Sequence, residues 1–407
     1  MEEHLTPVLL GGDVGCYSLA RAFYEAYGVT SYAFGQKELG AVRHSRFLSF
    51  TAVDGLNDPD LLCTLLLDFA QKTEGATRIL LPCTDEYAEL LMQNREKLES
   101  EYILPLPPST ALPLFDKANF YKLAAEWGID VPETVTVTAP PSYRACRELA
   151  KKLGCPFVIK PSSSVAYWHH PFEGMEKVYI AHNANEAECI FSTIFASGYT
   201  EGVLAQRYID GGDAAGYVLT LYFDRDGRAV MRSSARVLLE EHTPKGKGNY
   251  AALITAKIPP VADRLSEMLA SIGYRGFANF DLRFDSRDGK FYVLELNLRL
   301  GRSNWFLTAA RANPAELLCR DYILGEQIDA YDVEKDVLFR TVPYTVVRRY
   351  TAESGLVLQA ERLHRTGRES CPWYSSDLSD IRRLFYVAAH MYRERKKFRR
   401  HLAPVRK

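Results

Sequence analysis

Paired or clustered cysteines are the first feature that this sequence lacks. Its eight cysteines are scattered, with no C-x-x-C pair and no grouping with histidine. This spacing argues against a zinc site and a disulfide scaffold, and it is typical of thiols buried in a reducing compartment. We therefore expect a cytoplasmic protein.

Long apolar runs and targeting segments are missing as well. No run reaches the roughly 18 apolar residues of a membrane-spanning helix, and the chain starts with the letters MEEH instead of a basic region. Neither a membrane span nor a signal peptide is predicted. The formal net charge of -1 at pH 7 provides no overall attraction to nucleic acid, so no nucleic-acid partner is expected.

The sequence also contains no G-x-S-x-G and no H-E-x-x-H motif. Their absence argues against the common serine hydrolases and zinc proteases. What the chain does have is length and apolar content, with 407 residues of which 47% are hydrophobic. That is too much for one compact core, and two to three domains are predicted.

The chain opens with two α/β units. The run PVLLGGDVGCYSLARAFYEAYGV predicts a strand, a glycine turn and a helix, and RILLPCTDEYAELLMQN repeats that order. Because open α/β sheets bind ligands beyond the carboxyl ends of their strands, Gly12, Asp13 and Asp85 are candidate substrate residues. The alternative is that the glycine serves the turn and Asp13 caps the helix.

The run GFANFDLRFDSRDGKFYVLELNLRLGRSN, residues 276–304, predicts a β-hairpin around a polar turn. Side chains alternate between faces along a strand, so each strand has one polar and one apolar face. The polar faces carry Asn279, Asp281 and Arg283, and then Glu295, Asn297 and Arg299. The apolar set, expected in the core, is Phe280, Leu282, Phe284, Leu294, Leu296, Leu298 and Leu300.

The polar faces of this hairpin suit metal-assisted phosphoryl transfer. Asp281, Glu295 and Asn297 offer the hard oxygen ligands that Mg²⁺ prefers. Arg299 and Arg302 can stabilise charge that develops on a transferred phosphoryl group, and Arg302 with Ser303 can also bind a substrate carboxylate. The alternative is an ordinary solvent-exposed face of an antiparallel sheet.

Two lysines are candidates for phosphate contacts. In FVIKPSSS a buried strand delivers Lys160 to a turn of three serines, Ser162, Ser163 and Ser164, whose hydroxyl groups can bind phosphate oxygens. Lys117 lies near the start of a helix, where the helix dipole disfavours a cation. A solvated lysine remains the alternative at both positions.

Taken in order, these elements resemble the ATP-grasp superfamily over about residues 112–325. The resemblance implies an α/β fold in which an open N-terminal α/β domain precedes two α+β grasp lobes and a C-terminal extension. The expected limits are 1–111, 112–205, 206–328 and 329–407. The implied cofactors are ATP and Mg²⁺.

The same resemblance assigns roles to individual residues. Phosphates would contact Lys117, Lys160 and the loop of Ser162, Ser163 and Ser164. Adenine would pair with a hinge of Gln206, Arg207, Tyr208 and Ile209, and the ribose would bind Asp213. Magnesium would bind Asp281, Glu295 and Asn297, with Arg299 assisting transfer.

The opening run and the later FDKANFYKLAAEWGID are similar to the D-aspartate ligases of Gram-positive peptidoglycan cross-bridge synthesis. That likeness implies small-molecule carboxylate and amine substrates. The β-carboxylate of D-aspartate would be phosphorylated and then attacked by a lysine side-chain amine of a UDP-linked muramyl peptide. Three alternatives stay open: a ligase for another amino acid or dipeptide outside cell-wall synthesis, a non-catalytic nucleotide-binding module, and a biotin-dependent carboxylase.

The chain ends in a basic tail. Residues 382–407 hold ten lysines or arginines against the single acid Glu394. Such a run is usually a solvated helix face, and the alternative is peripheral contact with an anionic precursor or a membrane surface. The sequence carries no signal for an oligomeric state.

Overall fold

Three β-sheets organise the chain, which the computed structural model describes over residues 4–243 and 246–405. The strands are β1 (Leu5–Leu10), β2 (Ser31–Gly35), β3 (Leu48–Ala52), β4 (Thr77–Pro82), β5 (Thr134–Val137), β6 (Phe157–Pro161), β7 (Tyr179–Ala181), β8 (Val203–Arg207), β9 (Gly216–Phe223), β10 (Ala229–Glu240), β11 (Tyr250–Thr255), β12 (Gly276–Asp285), β13 (Lys290–Asn297), β14 (Tyr331–Asp332), β15 (Leu338–Arg340) and β16 (Glu369–Ser370). The helices are α1 (Val14–Tyr27), α2 (Pro59–Lys72), α3 (Asp85–Gln93), α4 (Arg95–Leu98), α5 (Lys117–Glu126), α6 (Tyr143–Leu153), α7 (Ser164–Trp168), α8 (Ala184–Ala196), α9 (Val261–Ser271), α10 (Trp305–Ala309), α11 (Pro314–Leu318), α12 (Tyr344–Tyr350), α13 (Ser354–Arg365) and α14 (Ile381–His401). The mixed α/β class predicted from the sequence is confirmed.

The N-terminal sheet is parallel, with strand order β3-β2-β1-β4. Since β1 and β4 are parallel neighbours, their carboxyl ends lie side by side. Each strand is followed there by a helix, α1 after β1 and α3 after β4. At this point Gly11 has a φ of +139°, and a Cβ atom on it would lie 2.9 Å from the Cβ of Cys83. Glycine at this position therefore lets the two strand ends approach each other closely.

The second sheet is antiparallel, with order β5-β8-β6-β7, and α6 and α8 cover it. The expected limit between residues 205 and 206 falls inside β8, which pairs with β5 over residues 203–206 and with β6 over residues 203–207. The domain limits themselves stay predictions.

The largest sheet has the order β13-β12-β9-β10-β11-β15-β16, with β14 beside β10. Its edge is the hairpin of β12 and β13, in which Asp281 lies opposite Glu295 and Asn279 lies opposite Asn297. The predicted hairpin and its polar face are therefore present. Strands β15 and β16 come from the expected C-terminal extension, so that segment completes the sheet.

One part of the expected apolar face is wrong. The register shifts after the pair Asp281 and Glu295, because the next pair is Leu282 with Val293, and Leu294 is the extra residue of a β-bulge. Val293 is fully buried in the core, whereas Leu294 lines a cavity. Phe284 is also only half-buried, against Phe291. Because of the bulge, Val293 faces the core in place of Leu294.

Most of the basic tail forms α14, whose outer side is exposed and whose other side packs against the rest of the molecule. The buried residues recur at helical spacing and are Arg383, Val387, Met391, Glu394 and Phe398. The tail's Arg406 and Lys407, like the first three residues of the chain, lie outside the described residues. None of the described helices is long and apolar enough to cross a membrane. All eight cysteines are free, and Cys155 and Cys189 are exposed where buried thiols were expected.

Arg383 anchors α14 to α1 and to the segment between β2 and β3. Its side chain is fully buried, donates to the carbonyl oxygens of Ala41 at 2.7 Å and Arg43 at 2.9 Å, and lies over the Tyr17 ring. The carboxylate of Asp377, also buried, is 3.7 Å away. A cation inside the protein is tolerated here because these oxygens and aromatic faces replace water.

We therefore expect Arg383→Ala to lower the free energy of unfolding by about 3 kcal/mol, since the buried Asp377 carboxylate and two carbonyl groups lose their partner. Urea titration followed by circular dichroism measures the difference. The matched control is Arg395→Ala on the exposed side of α14, which should change stability by less than about 0.5 kcal/mol. Equal effects of the two substitutions would show that Arg383 is not a structural anchor.

Candidate active site

Two cavities meet beside the β12–β13 hairpin. The first, of about 330 Å³, is called the hinge cavity and is lined by Lys160, residues 206–209 and Asp213. The second, of about 730 Å³, is called the interdomain cavity and lies between the strand ends of the N-terminal sheet and the segment after β13. Asp281 and Glu295 line both cavities. The two cavities therefore adjoin each other at this pair of acids.

The two acids differ in their electrostatic surroundings. The hydroxyl of Tyr250 donates to Asp281 at 2.8 Å, and burial together with the charge of Glu295 raises the pKa of Asp281 to about 6. Burial also disfavours ionised Glu295, but the charges of Lys117, Lys177 and Lys160 outweigh it and lower the pKa of Glu295. Glu295 therefore ionises at a lower pH than Asp281, and its carboxylate lies 3.1 Å from the Lys117 ammonium.

The donor set fits a magnesium ion that arrives with a phosphate group. Asp281 and Glu295 supply carboxylates from adjacent strands, and Asn297 lines the interdomain cavity beside them. The amide nitrogen of Asn297 donates to the carbonyl of Asn279 at 3.3 Å, which leaves the amide oxygen as the remaining acceptor. Over residues 4–243 and 246–405, no group of three or more acids, histidines or cysteines is arranged to hold a metal. Mg²⁺ commonly takes only one or two carboxylates and completes its shell with phosphate and water.

Both candidate lysines point into this region. Lys117 begins α5 and donates to the hydroxyl of Ser164 at 2.9 Å, while its ion pair with Glu295 compensates for the unfavourable end of the helix dipole. Lys160 donates to the hydroxyl of Tyr121 at 2.8 Å and to the carbonyl of Leu294 at 3.3 Å. Burial lowers the pKa of Lys160 to about 8.

Two of the three serines, Ser162 and Ser163, form hydrogen bonds that support the fold, and Ser164 faces the cavities. The hydroxyl of Ser162 donates to Asp116, and that of Ser163 caps α7 by accepting from the amide of Ala166 at 3.2 Å. Ser164 lines both cavities. Of the expected phosphate loop, the Ser164 hydroxyl is thus the one placed beside Lys117.

The expected hinge lies where β8 leaves its sheet. Gln206, Arg207, Tyr208 and Ile209 all line the hinge cavity. The Gln206 amide donates to the hydroxyl of Thr134 at 2.8 Å, so its side chain is held by β5 and the backbone after it borders the cavity. The side chain of Gln206 therefore forms its hydrogen bond within the sheet.

Asp213 lies at the far end of the hinge cavity. Its carboxylate accepts from the amide of Glu240 at 2.9 Å and contacts the His242 ring at the same distance. Burial and the charge of Asp213 raise the pKa of Glu240 to about 7. This end of the cavity therefore holds two acids that can accept hydrogen bonds from a hydroxylated ligand.

The candidate residues of the interdomain cavity come from the strand ends of the N-terminal sheet and from the segment after β13. Arg299 binds Asp85 at 2.8 Å, and Arg302 lies 3.4 Å from Asp13 and 3.1 Å from Glu241. Asp13 also caps α1 through the amides of residues 15 and 16. Asp13 therefore caps the helix and also lines the cavity, and its role as a substrate residue stays a prediction.

Gly12 and Ser303 line the same cavity. A Cβ atom at Gly12 would lie 3.2 Å from the carbonyl oxygen of Lys37 and from the Phe50 ring, so glycine here keeps the cavity wall close to the strand end. All the candidates proposed from the sequence for the carboxylate and amine substrates thus line one cavity or pair with an arginine in it.

Several residues that line these cavities were missed by sequence analysis. They are Lys177, Glu240, His242 and Tyr250. Glu241, whose carboxylate accepts from Arg302 at 3.1 Å, was missed as well. Lys177 precedes a short strand with no motif around it, so the sequence has no signal for it. Tyr250 was detectable in principle, since it begins a strand after a glycine-rich turn that interrupts the strand-rich region.

Comparison with known proteins places this geometry in a family. No family model matches the chain. The chain is 30% identical to the D-aspartate ligase of Enterococcus faecium over 375 residues, which are 90% of this chain and 89% of that protein.

Solved structures share the fold. The biotin carboxylase domain of a 2-oxoglutarate carboxylase from Hydrogenobacter thermophilus, crystallised with MgADP, ADP and bicarbonate, has a TM-score of 0.60 at 17% identity, covering 82% of this chain and 74% of that chain. N5-carboxyaminoimidazole synthetase from Staphylococcus aureus, complexed with ADP, has a TM-score of 0.59 at 17% identity, covering 82% and 81%. At these identities the likeness concerns the fold alone. From the full-length relationship and the shared fold we conclude that the chain belongs to the D-aspartate ligase family of ATP-grasp enzymes, which are ATP-dependent acid–amine ligases.

Proposed function

We propose that this ligase activates the β-carboxylate of D-aspartate as an acyl phosphate and joins it to a lysine side-chain amine of a UDP-linked muramyl peptide, in the cytoplasm. The observation that carries the proposal is that two cavities share Asp281 and Glu295. The identity with a D-aspartate ligase over nine tenths of the chain supports the choice of substrates.

ATP fits the hinge cavity, with its phosphates towards the acid pair. Residues 206–209 would border adenine, Asp213 would accept from the ribose hydroxyls, and Lys117, Lys160 and Ser164 would bind phosphate oxygens. Asp281, Glu295 and Asn297 would hold magnesium. The bound ion would neutralise the charge on the phosphates during transfer.

The carboxylate substrate fits the interdomain cavity. Arg302 and Ser303 would bind a carboxylate, while Asp13 holds Arg302 in place through their ion pair. Arg299, held by Asp85, would stabilise charge at the transferred group. This arrangement orients a carboxylate towards the junction of the two cavities.

The reaction then needs positioning and charge neutralisation rather than a protein nucleophile. A carboxylate oxygen attacks the γ-phosphorus and ADP leaves. The amine nitrogen then attacks the carbonyl carbon of the acyl phosphate, inorganic phosphate leaves, and the nitrogen loses a proton. The lysines and arginines described above would stabilise the negative charge that develops in both steps.

The first test identifies the carboxylate and amine substrates of the enzyme. Purified protein with MgATP should release ADP in the presence of D-aspartate and UDP-muramyl pentapeptide, and mass spectrometry should show the aspartyl adduct on the acceptor lysine. L-aspartate and other amino acids serve as controls. If another acid supports turnover and D-aspartate does not, the enzyme is a ligase for a different substrate and the cell-wall assignment fails.

The second test removes one carboxylate of the pair Asp281 and Glu295. Glu295→Ala should lower turnover at least about a hundredfold, because a charged group that holds the metal and Lys117 is removed. Glu148→Ala, an exposed change on α6, is the matched control and should keep full activity. Near-normal turnover of Glu295→Ala with Mg²⁺ would show that the metal assignment is wrong.

The third test is pH dependence. Lys160 has a folded-state pKa lowered from 10.5 to about 8, so it loses its positive charge as the pH rises through about 8. Nucleotide affinity should therefore weaken as the pH rises above about 8, by up to about tenfold per pH unit. Isothermal titration calorimetry with MgADP measures the profile.

The control for this profile is Lys160→Arg, whose guanidinium stays charged across the range. Its affinity should be flat above about pH 8 even if its absolute value is lower. A wild-type profile that is equally flat would show that the Lys160 charge does not bind the nucleotide.

A further inference from the structure

The outer side of α14 carries an exposed apolar stripe. Ile381, Phe385, Ala388 and Tyr392 follow one another at spacings of four, three and four residues, which places them on one line along the helix. The exposed fractions of Ile381, Phe385 and Tyr392 are 65%, 68% and 68%, and Leu384 beside them is 47% exposed. Such a row of large apolar side chains on a soluble domain indicates an interaction surface.

The exposed stripe is not the side of α14 that packs against the core. The opposite side of α14 is already packed, and buried Arg383 is bonded to two carbonyl groups of the N-terminal domain. Because Phe398 at the other end is buried as well, the helix is fixed in rotation along its length. The exposed stripe is therefore held rigidly towards the outside.

Cations surround this stripe. The exposed basic residues on α14 are Arg382, Arg393, Arg395, Lys396, Lys397, Arg399 and Arg400. The one acid of the helix, Glu394, is buried and accepts from Lys397 at 2.7 Å. The exposed side of α14 thus combines aromatic and aliphatic groups with positive charge and presents no carboxylate of its own.

We propose that this outer face of α14 binds the surface of an anionic lipid bilayer. An apolar stripe bordered by arginine and lysine is the composition of helices that lie in the membrane interface, where apolar side chains enter the headgroup region and cations contact acidic headgroups. The helix lies on the bilayer and does not cross it. The proposal does not depend on the substrates of the ligase.

Binding to the bilayer would hold the active site close to the membrane. The inner side of α14 borders the segment that contributes to the interdomain cavity, because Glu394 and Phe398 line a small pocket with Glu241 and His242. Glu241 in turn binds Arg302. Ligase molecules on the bilayer would therefore act on acceptors near that surface.

The experiment is flotation of the full-length protein with vesicles of phosphatidylcholine alone and of phosphatidylcholine with phosphatidylglycerol. The protein should float with the anionic vesicles, remain unbound with the neutral ones, and be released as salt concentration rises. Phe385→Ser with Tyr392→Ser, and separately the triple change of Arg395, Lys396 and Arg399 to Gln, should each lower the partition coefficient at least about tenfold.

Matched controls separate this face from general surface properties. Leu358→Ser removes an apolar side chain that is 67% exposed on α13, and changing Arg144, Arg147 and Lys151 to Gln removes three exposed cations from α6. Both controls should float like the parent protein, and all variants should keep ligase activity in solution.

Three results would overturn the proposal. The first is absence of flotation with anionic vesicles, and the second is flotation that the α14 variants do not reduce. The third is a dimer, seen by analytical ultracentrifugation, that Phe385→Ser with Tyr392→Ser dissociates in protein that does not float. That last result would make the stripe an interface between two copies of this chain.

Discussion

Pairing of β12 with β13 places Asp281 and Glu295 opposite each other, and the rest of the site depends on that contact. Two buried carboxylates cannot both ionise without compensation, and the structure supplies it asymmetrically. Lys117 and Lys160, with Lys177, keep Glu295 ionised, whereas Asp281 is left with a raised pKa beside Tyr250. Lysines from distant parts of the chain therefore lie beside the hairpin, where their positive charge compensates its carboxylates. These charges make the place suited to a metal and to phosphate.

The second constraint is the parallel N-terminal sheet. Parallel strands end at one edge, so Asp13 and Asp85 lie near each other and face the arginines that follow β13. These ion pairs join the first domain to the hairpin and form the wall of the interdomain cavity. They also hold the guanidinium groups of Arg299 and Arg302 in fixed orientations.

Sequence reasoning predicted the α/β class, the hairpin with its polar face, and residues lining both cavities, because alternation along strands is a local property. It failed where the structure depends on contacts between distant segments. The bulge at Leu294, the burial of Arg383 and the partners of Ser162 and Ser163 result from packing that no local pattern encodes. Lys177 was missed for the same reason. The roles of the individual site residues and the domain limits remain predictions.

The central claim is that a carboxylate in one cavity is phosphorylated by ATP in the other. Positional isotope exchange tests it most directly, with ATP labelled by ¹⁸O in the β,γ-bridge and with the amine acceptor left out. Reversible acyl-phosphate formation predicts that the label moves into the non-bridging positions of the β-phosphate when D-aspartate is present and stays in place without it. Scrambling that does not require a carboxylate, or no scrambling in an enzyme that turns over with the acceptor, would contradict the account.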